Sequence, residues 1–198
     1  FLCLSFTTYS QYPGYLIESK HLQNFLLLHE DESYGTSASC AAEIGSGEII
    51  SCFDQYGEFK IEKSNKTQTW RYKNGWVGRI QNVDDNNLLH GLCTEFYLNS
   101  DQKFAEWTYD HGKFIGVKYF TKEGILFHEE QLTDGNGSIE LYRRNGTRCY
   151  RTTFVDFKIH GRCVYYYSSG AVMIAGNCEN GELIGEWKEY DLDGKRVN

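Results

Sequence analysis

Apolar and polar positions along most of this chain repeat in units of about two dozen residues, each punctuated by two small turn residues. One set of glycines opens the unit, at Gly91, Gly116, Gly137, Gly161 and Gly185, spaced by 25, 21, 24 and 24 residues. A second set closes it, at Gly57, Gly124, Gly146, Gly170 and Gly194, with Ser100 in place of one. Four residues before the closing positions stand Phe53, Phe96, Phe120, Tyr142, Tyr166 and Tyr190, all aromatic. Seven residues before them stand Ile50, Cys93, Val117, Ile139, Cys163 and Trp187, all apolar. At 16% aromatic composition, six aromatics in six places arise by chance on the order of once in tens of thousands of trials. These twelve residues are the expected structural core of a repeat.

The pattern predicts an all-β fold. Each unit supplies two short antiparallel strands joined by glycine-bearing turns, and the hairpins stack into one extended twisted meander sheet. The two apolar slots lie three residues apart, so on a straight strand they face opposite sides. Either a bulge separates them or both faces of the sheet carry aromatics.

The repeat also decides how "HGRCVYYYSSG" (His160 to Gly170) is read. A His three residues before a Cys suggests a metal ligand pair or an activated thiol. Yet Cys163 shares its slot with Ile139, Val117 and Trp187, and so behaves as a small hydrophobe. His160 and His90 share theirs with Ile115, Asn136 and Ile184. No catalytic residue, metal site or cofactor is expected.

"NGELIGEWKEYDLDGK" (Asn180 to Lys195) resembles the MORN-variant repeat of YwqK-type proteins, a family of antitoxin components. "HGRCVYYYSSG" and "GSIELYRRNG" fit the same form with Cys or Ile in the Trp slot. The resemblance spans about Gly47 to Asn198 and is clearest after Gly91. It implies a β-repeat fold and a partner-binding role, including neutralisation of a toxin.

Residues 47–198 are thus expected to form the repeat domain and residues 1–46 an N-terminal capping segment, strand or short helix, on the sheet's first edge. The pattern is stretched between Gly57 and Gly91. There "KIEKSNKTQTW" is read as an extended hairpin arm and "NVDDNNLL" as a loop that lacks the further oxygen ligands of a calcium site.

Twenty glycines against one proline, with fifteen tyrosines, reinforce the strand-and-turn reading. A formal charge of −7 argues against nucleic acid as a partner and suits a protein with a basic surface. No apolar run reaches the roughly 20 residues of a membrane span. Seven cysteines and the sequons at Asn65, Asn136 and Asn145 admit a secretory history. The apolar slot of Cys163 points instead to reduced, buried thiols and a reducing compartment. Asn136-Gly137 and Asn145-Gly146 are also explained as hairpin turns.

Phosphate-loop, nucleophile-elbow and HExxH patterns are missing from the sequence, so the expected class is a binding module. Beside the core aromatics fall Tyr97, Tyr119, Tyr165 and Tyr167, with Glu95, Glu189 and Asp191. These seven are the candidate partner-binding residues of a scaffold or accessory subunit, or of an immunity protein. The alternative is that the tyrosines pack against cross-strand neighbours.

Overall fold

A computed structural model describes residues 39–41, 49–54, 57–64 and 66–197, with side chains from Ile61 onward. Every regular element among them is a strand. The order is β1 (Ser39–Ala41), β2 (Ile49–Asp54), β3 (Gly57–Ser64), β4 (Thr67–Tyr72), β5 (Val77–Asn82), β6 (Gly91–Phe96) and β7 (Lys103–Asp110). There follow β8 (Lys113–Phe120), β9 (Leu126–Gln131), β10 (Gly137–Tyr142), β11 (Arg148–Val155), β12 (Lys158–Tyr166), β13 (Val172–Glu179) and β14 (Glu182–Glu189). Each strand pairs antiparallel with its neighbour in sequence, but in two sheets rather than the expected one: β1 to β9, then β10 to β14.

Two kinds of turn alternate. At one end of the sheets, His111-Gly112, Asp134-Gly135, Asp156-Phe157 and Asn180-Gly181 all have positive φ at both central residues. This backbone matches the twist of the flanking strands. The sequon at Asn136 therefore lies just after its hairpin turn, not in it. At the other end, the amides of Gly75, Gly124, Gly146 and Gly170 donate to the carbonyls of Tyr72, Thr121, Arg143 and Tyr167, three residues earlier. Gly194 does the same to Asp191. The Gly75 turn belongs to a unit that the sequence pattern misses, because Arg71 occupies its aromatic slot. Asn65 lies outside the described residues.

The question of faces has a definite answer. Cys93, Val117, Ile139 and Cys163 are buried, and so are Tyr119, Leu141 and Tyr165 two residues further on. These side chains share one face, as a two-residue period requires. They belong to a single core that runs through both sheets, from Val83 to Cys178. Phe114 of β8 meets Phe154 of β11 across it, with ring centroids 5.6 Å apart.

The aromatic slot lies mostly on the other face. Tyr166 joins Val164 and Ala175, with Tyr190 against them, in a second small cluster. Phe96 and Phe120 are half-buried rather than core. Both proposed solutions hold at once, because the pairing register also shifts between Glu95 and Phe96, Tyr119 and Phe120, Leu141 and Tyr142, and Tyr165 and Tyr166. Trp187 is half-buried, its ring lying over Gly176, where a Cβ would collide with it. Ile50 and Phe53 sit on β2, where only the backbone is described.

The break between the sheets falls after the shortest unit, the 21 residues from Gly116 to Gly137. β9 and β10 face each other without a ladder. Instead the Glu130 carboxylate accepts the backbone N–H of Glu140, and the His128 and Tyr142 rings lie 4.5 Å apart. Tyr142 also meets Tyr119 and Phe127, so it closes the seam rather than the outer face. Burial pushes the Glu130 carboxyl above its usual range. Of the segment before residue 47, β1 pairs with β2; the rest lies outside the described residues.

Candidate interaction surface

Because the strands form a meander, every closing turn falls at the same end of the sheets. Side chains from different turns meet there: Asn74 donates to Asn99 at 2.8 Å, and Arg144 Nε donates to the Phe96 carbonyl at 3.2 Å. The turns are built from their own polar residues. Asn145 and Asp191 carboxamide or carboxylate oxygens accept backbone N–H groups at 2.8–3.1 Å within their loops. Ser100 and Thr121 hydroxyls do likewise. This local satisfaction leaves the remaining turn side chains free to point outward.

Several of those are large and apolar. Trp76 is 41% exposed, Leu98 41%, Ile125 63% and Leu192 61%. Exposure of single apolar residues is ordinary, but here they recur along one end of a rigid scaffold. Ile125 continues into exposed Leu126 and Phe127 on β9. Beside them opens a groove of about 390 Å³ lined by Tyr97, Thr121, Lys122, Phe127, Arg144 and Gly146. Lys122 and Arg144 approach the Tyr97 and Phe104 rings at 5.8 and 5.5 Å, so its cations are held over aromatic faces. A second groove, about 480 Å³, lies between the last two closing turns and includes Arg162, Val172, Tyr190, Leu192 and Asp193.

The seven candidate partner-binding residues mostly serve the fold. Tyr119 is 1% exposed and packs on Phe104 and Trp107. Tyr165 lies against Tyr150 with centroids 4.4 Å apart. Tyr97 is buried and donates its phenol O–H to the Phe120 carbonyl. An outward surface of tyrosines is therefore corrected to an inward one. The reason is alternation: once the Cys93 and Cys163 slot is core, residues two and four further on face the core as well. Tyr167 is half-buried and donates to the Tyr190 carbonyl. Glu95 pairs with Arg79, both side chains only 12% exposed. Asp191 shapes its turn, and Glu189 is half-buried beside it.

Three other constellations gather chemistry. Cys93, Cys149, Cys163 and Cys178 are all free and buried. Cys163 and Cys178 have sulfurs 3.0 Å apart, on strands whose register pairs Cys163 with Gly176. The hydrogen bond between the two thiols lowers the Cys163 pKa to about 6. Two groups bring possible ligand atoms together, His90 with Asp110 and His111, and His128 with Glu130 and Glu140. Sequence reasoning passed over the first because Asp110 ends β7 and His111 opens the turn after it, both outside the aligned slots. Among the described residues no helix is long and apolar enough to cross a membrane. No protein-family model matches the chain, and no curated protein matches it.

Proposed function

We propose that this chain is a non-catalytic protein–protein interaction module, a scaffold or accessory subunit, that receives its partner on the closing-turn end of its β-repeat. The observation that supports this reading is the recurrence of exposed Trp76, Leu98, Ile125 and Leu192 along that end, beside two open grooves. Apolar anchors on a rigid frame bind at small entropic cost, because the backbone that carries them is already ordered.

The test is a pull-down from the native source with tagged wild-type protein and with the Ile125→Ser/Leu192→Ser variant, read by mass spectrometry. Both substitutions fall on exposed side chains, so the fold is retained. Several components held by the wild type and lost by the variant support a scaffold. One protein in a tight equimolar pair supports the immunity or antitoxin reading that the MORN-variant resemblance implies. Equal capture by both forms removes this surface from consideration.

A further inference from the structure

We propose that His90, Asp110 and His111 form a binding site for a divalent transition-metal ion such as zinc, at the end of the sheets opposite the closing turns. His90 immediately precedes β6, Asp110 ends β7, and His111 opens the β7–β8 turn. The Gly112 amide donates to the Leu89 carbonyl at 2.7 Å and fastens that turn to the loop before β6.

The geometry is close to that of a coordinated ion. Asp110 Oδ1 is 3.4 Å from His90 Nδ1 and 3.9 Å from His111 Nε2, and one ligand atom from each of the three residues lies within 4.8 Å of the others. Ligand atoms about 2.0–2.2 Å from a tetrahedral zinc stand about 3.3–3.6 Å from each other. The three side chains are well exposed, so small rotations close the difference.

Hydrogen bonding sets the protonation of the two rings. Asp84 has a side chain only 7% exposed and lies 2.6 Å from His111 Nδ1. Its other oxygen accepts the Asn86 and Leu88 amides, each at 2.9 Å. That carboxylate holds the proton on Nδ1 and leaves the Nε2 lone pair facing Asp110. His90 Nδ1 is unprotonated as well, since it accepts the His111 amide in a long 3.3 Å contact, which a bound ion would displace. Three acceptors thus lie close together, and the His90 and His111 rings, stacked with centroids 4.3 Å apart, turn toward one ion on binding. Asp84 orients His111 from behind as carboxylates do for metal-bound histidines. Two imidazoles and one carboxylate suit zinc, nickel or copper better than calcium or magnesium.

Turn chemistry alone does not account for this histidine. Equivalent turns begin with Asp134, Asp156 and Asn180, the residues that a left-handed first position favours. The other His-carboxylate group differs, because both its carboxylates are half-buried and held by structural hydrogen bonds. Glu130 accepts the Glu140 amide, and Glu140 accepts from Tyr142 at 3.0 Å and Arg148 at 2.7 Å.

Titration calorimetry with zinc chloride near neutral pH tests the assignment. Wild-type protein is expected to bind one equivalent saturably, and calcium chloride to give no saturable heat. His111→Asn keeps a residue suited to the turn, as Asn180 is, and His90→Asn installs the residue that Asn136 supplies in the same slot. Each is expected to weaken zinc by about tenfold or more, and Asp84→Asn by a smaller factor, while Glu130→Gln leaves it unchanged. Absence of saturable zinc binding, or binding that neither histidine variant alters, would overturn the proposal.

Discussion

Tyr167 donates its phenol hydrogen to the backbone carbonyl of Tyr190, 2.8 Å away and 23 residues along the chain. Tyr97 makes the same bond to Phe120, at the same length and separation, and the Arg143 guanidinium reaches the Tyr166 carbonyl across 23 residues. Each donor stands three residues before its closing position and each acceptor four before the next. The bond therefore clips one unit to its successor at the turn end, in addition to the strand ladder. Thr121, too short to make the reach, holds this place next to the seam between the sheets, and its hydroxyl turns inward to its own loop.

Removing a clip should cost a single hydrogen bond. Tyr167→Phe and Tyr97→Phe are each expected to lower stability by about 1 kcal/mol, the net worth of such a bond. Thermal denaturation of both variants reads this directly. Unchanged melting in both would show that the clips contribute nothing.

Face assignment has a sharper consequence. Tyr119→Ala empties a fully buried site and should cost about 3–5 kcal/mol, while Phe120→Ala, at a half-buried position, should cost markedly less. Urea denaturation of the pair measures the difference. Equal losses would contradict the placement of Tyr119 on the core face.

The Asp84–His111 contact should be visible in the titration of the histidine. The hydrogen bond to Asp84 raises the His111 pKa above 6.5, and the same bond lowers Asp84 below 3.8. A raised histidine stabilises the fold below its unfolded pKa and loses that contribution as pH rises through its folded value. A lowered carboxylate contributes above its unfolded pKa and loses it as pH falls through its folded value. The contact is therefore at full strength between about pH 4 and about pH 6.5. In an NMR titration His111 should show an elevated pKa that drops in Asp84→Asn; the same value in both proteins would rule the contact out.

Thiol state is the last expectation. Cys93, Cys149, Cys163 and Cys178 should resist alkylation in the folded protein, because all four are buried, and should label fully after denaturation without reductant. Peptide mapping gives the outcome site by site. A Cys163–Cys178 bridge in protein taken from its native source would instead mean an oxidising compartment.

Local physics made much of this molecule readable from its residues. Glycine, asparagine and aspartate are favoured where φ turns positive, as at Asn180-Gly181, Asp134-Gly135 and Gly170, so most of the turns and hence the unit length are written into the sequence. Aromatic and apolar slots at fixed distances from those turns mark strands, and the register that pairs Cys163 with Gly176 follows from where the turn sits. Which face is the core does not follow, because both faces of each strand carry apolar side chains. Only the packing of the second sheet on the first, Phe154 against Phe114 and Tyr142 against Tyr119, sends Tyr119 and Tyr165 inward and leaves Phe120 half-exposed. The seam has the same origin: a side-chain carboxylate, Glu130, substitutes for a strand partner, and no repeat pattern encodes that. Likewise His90, Asp110 and His111 occupy unrelated places in the repeat, and they meet because a loop and a hairpin turn are fastened together through Leu89 and Gly112.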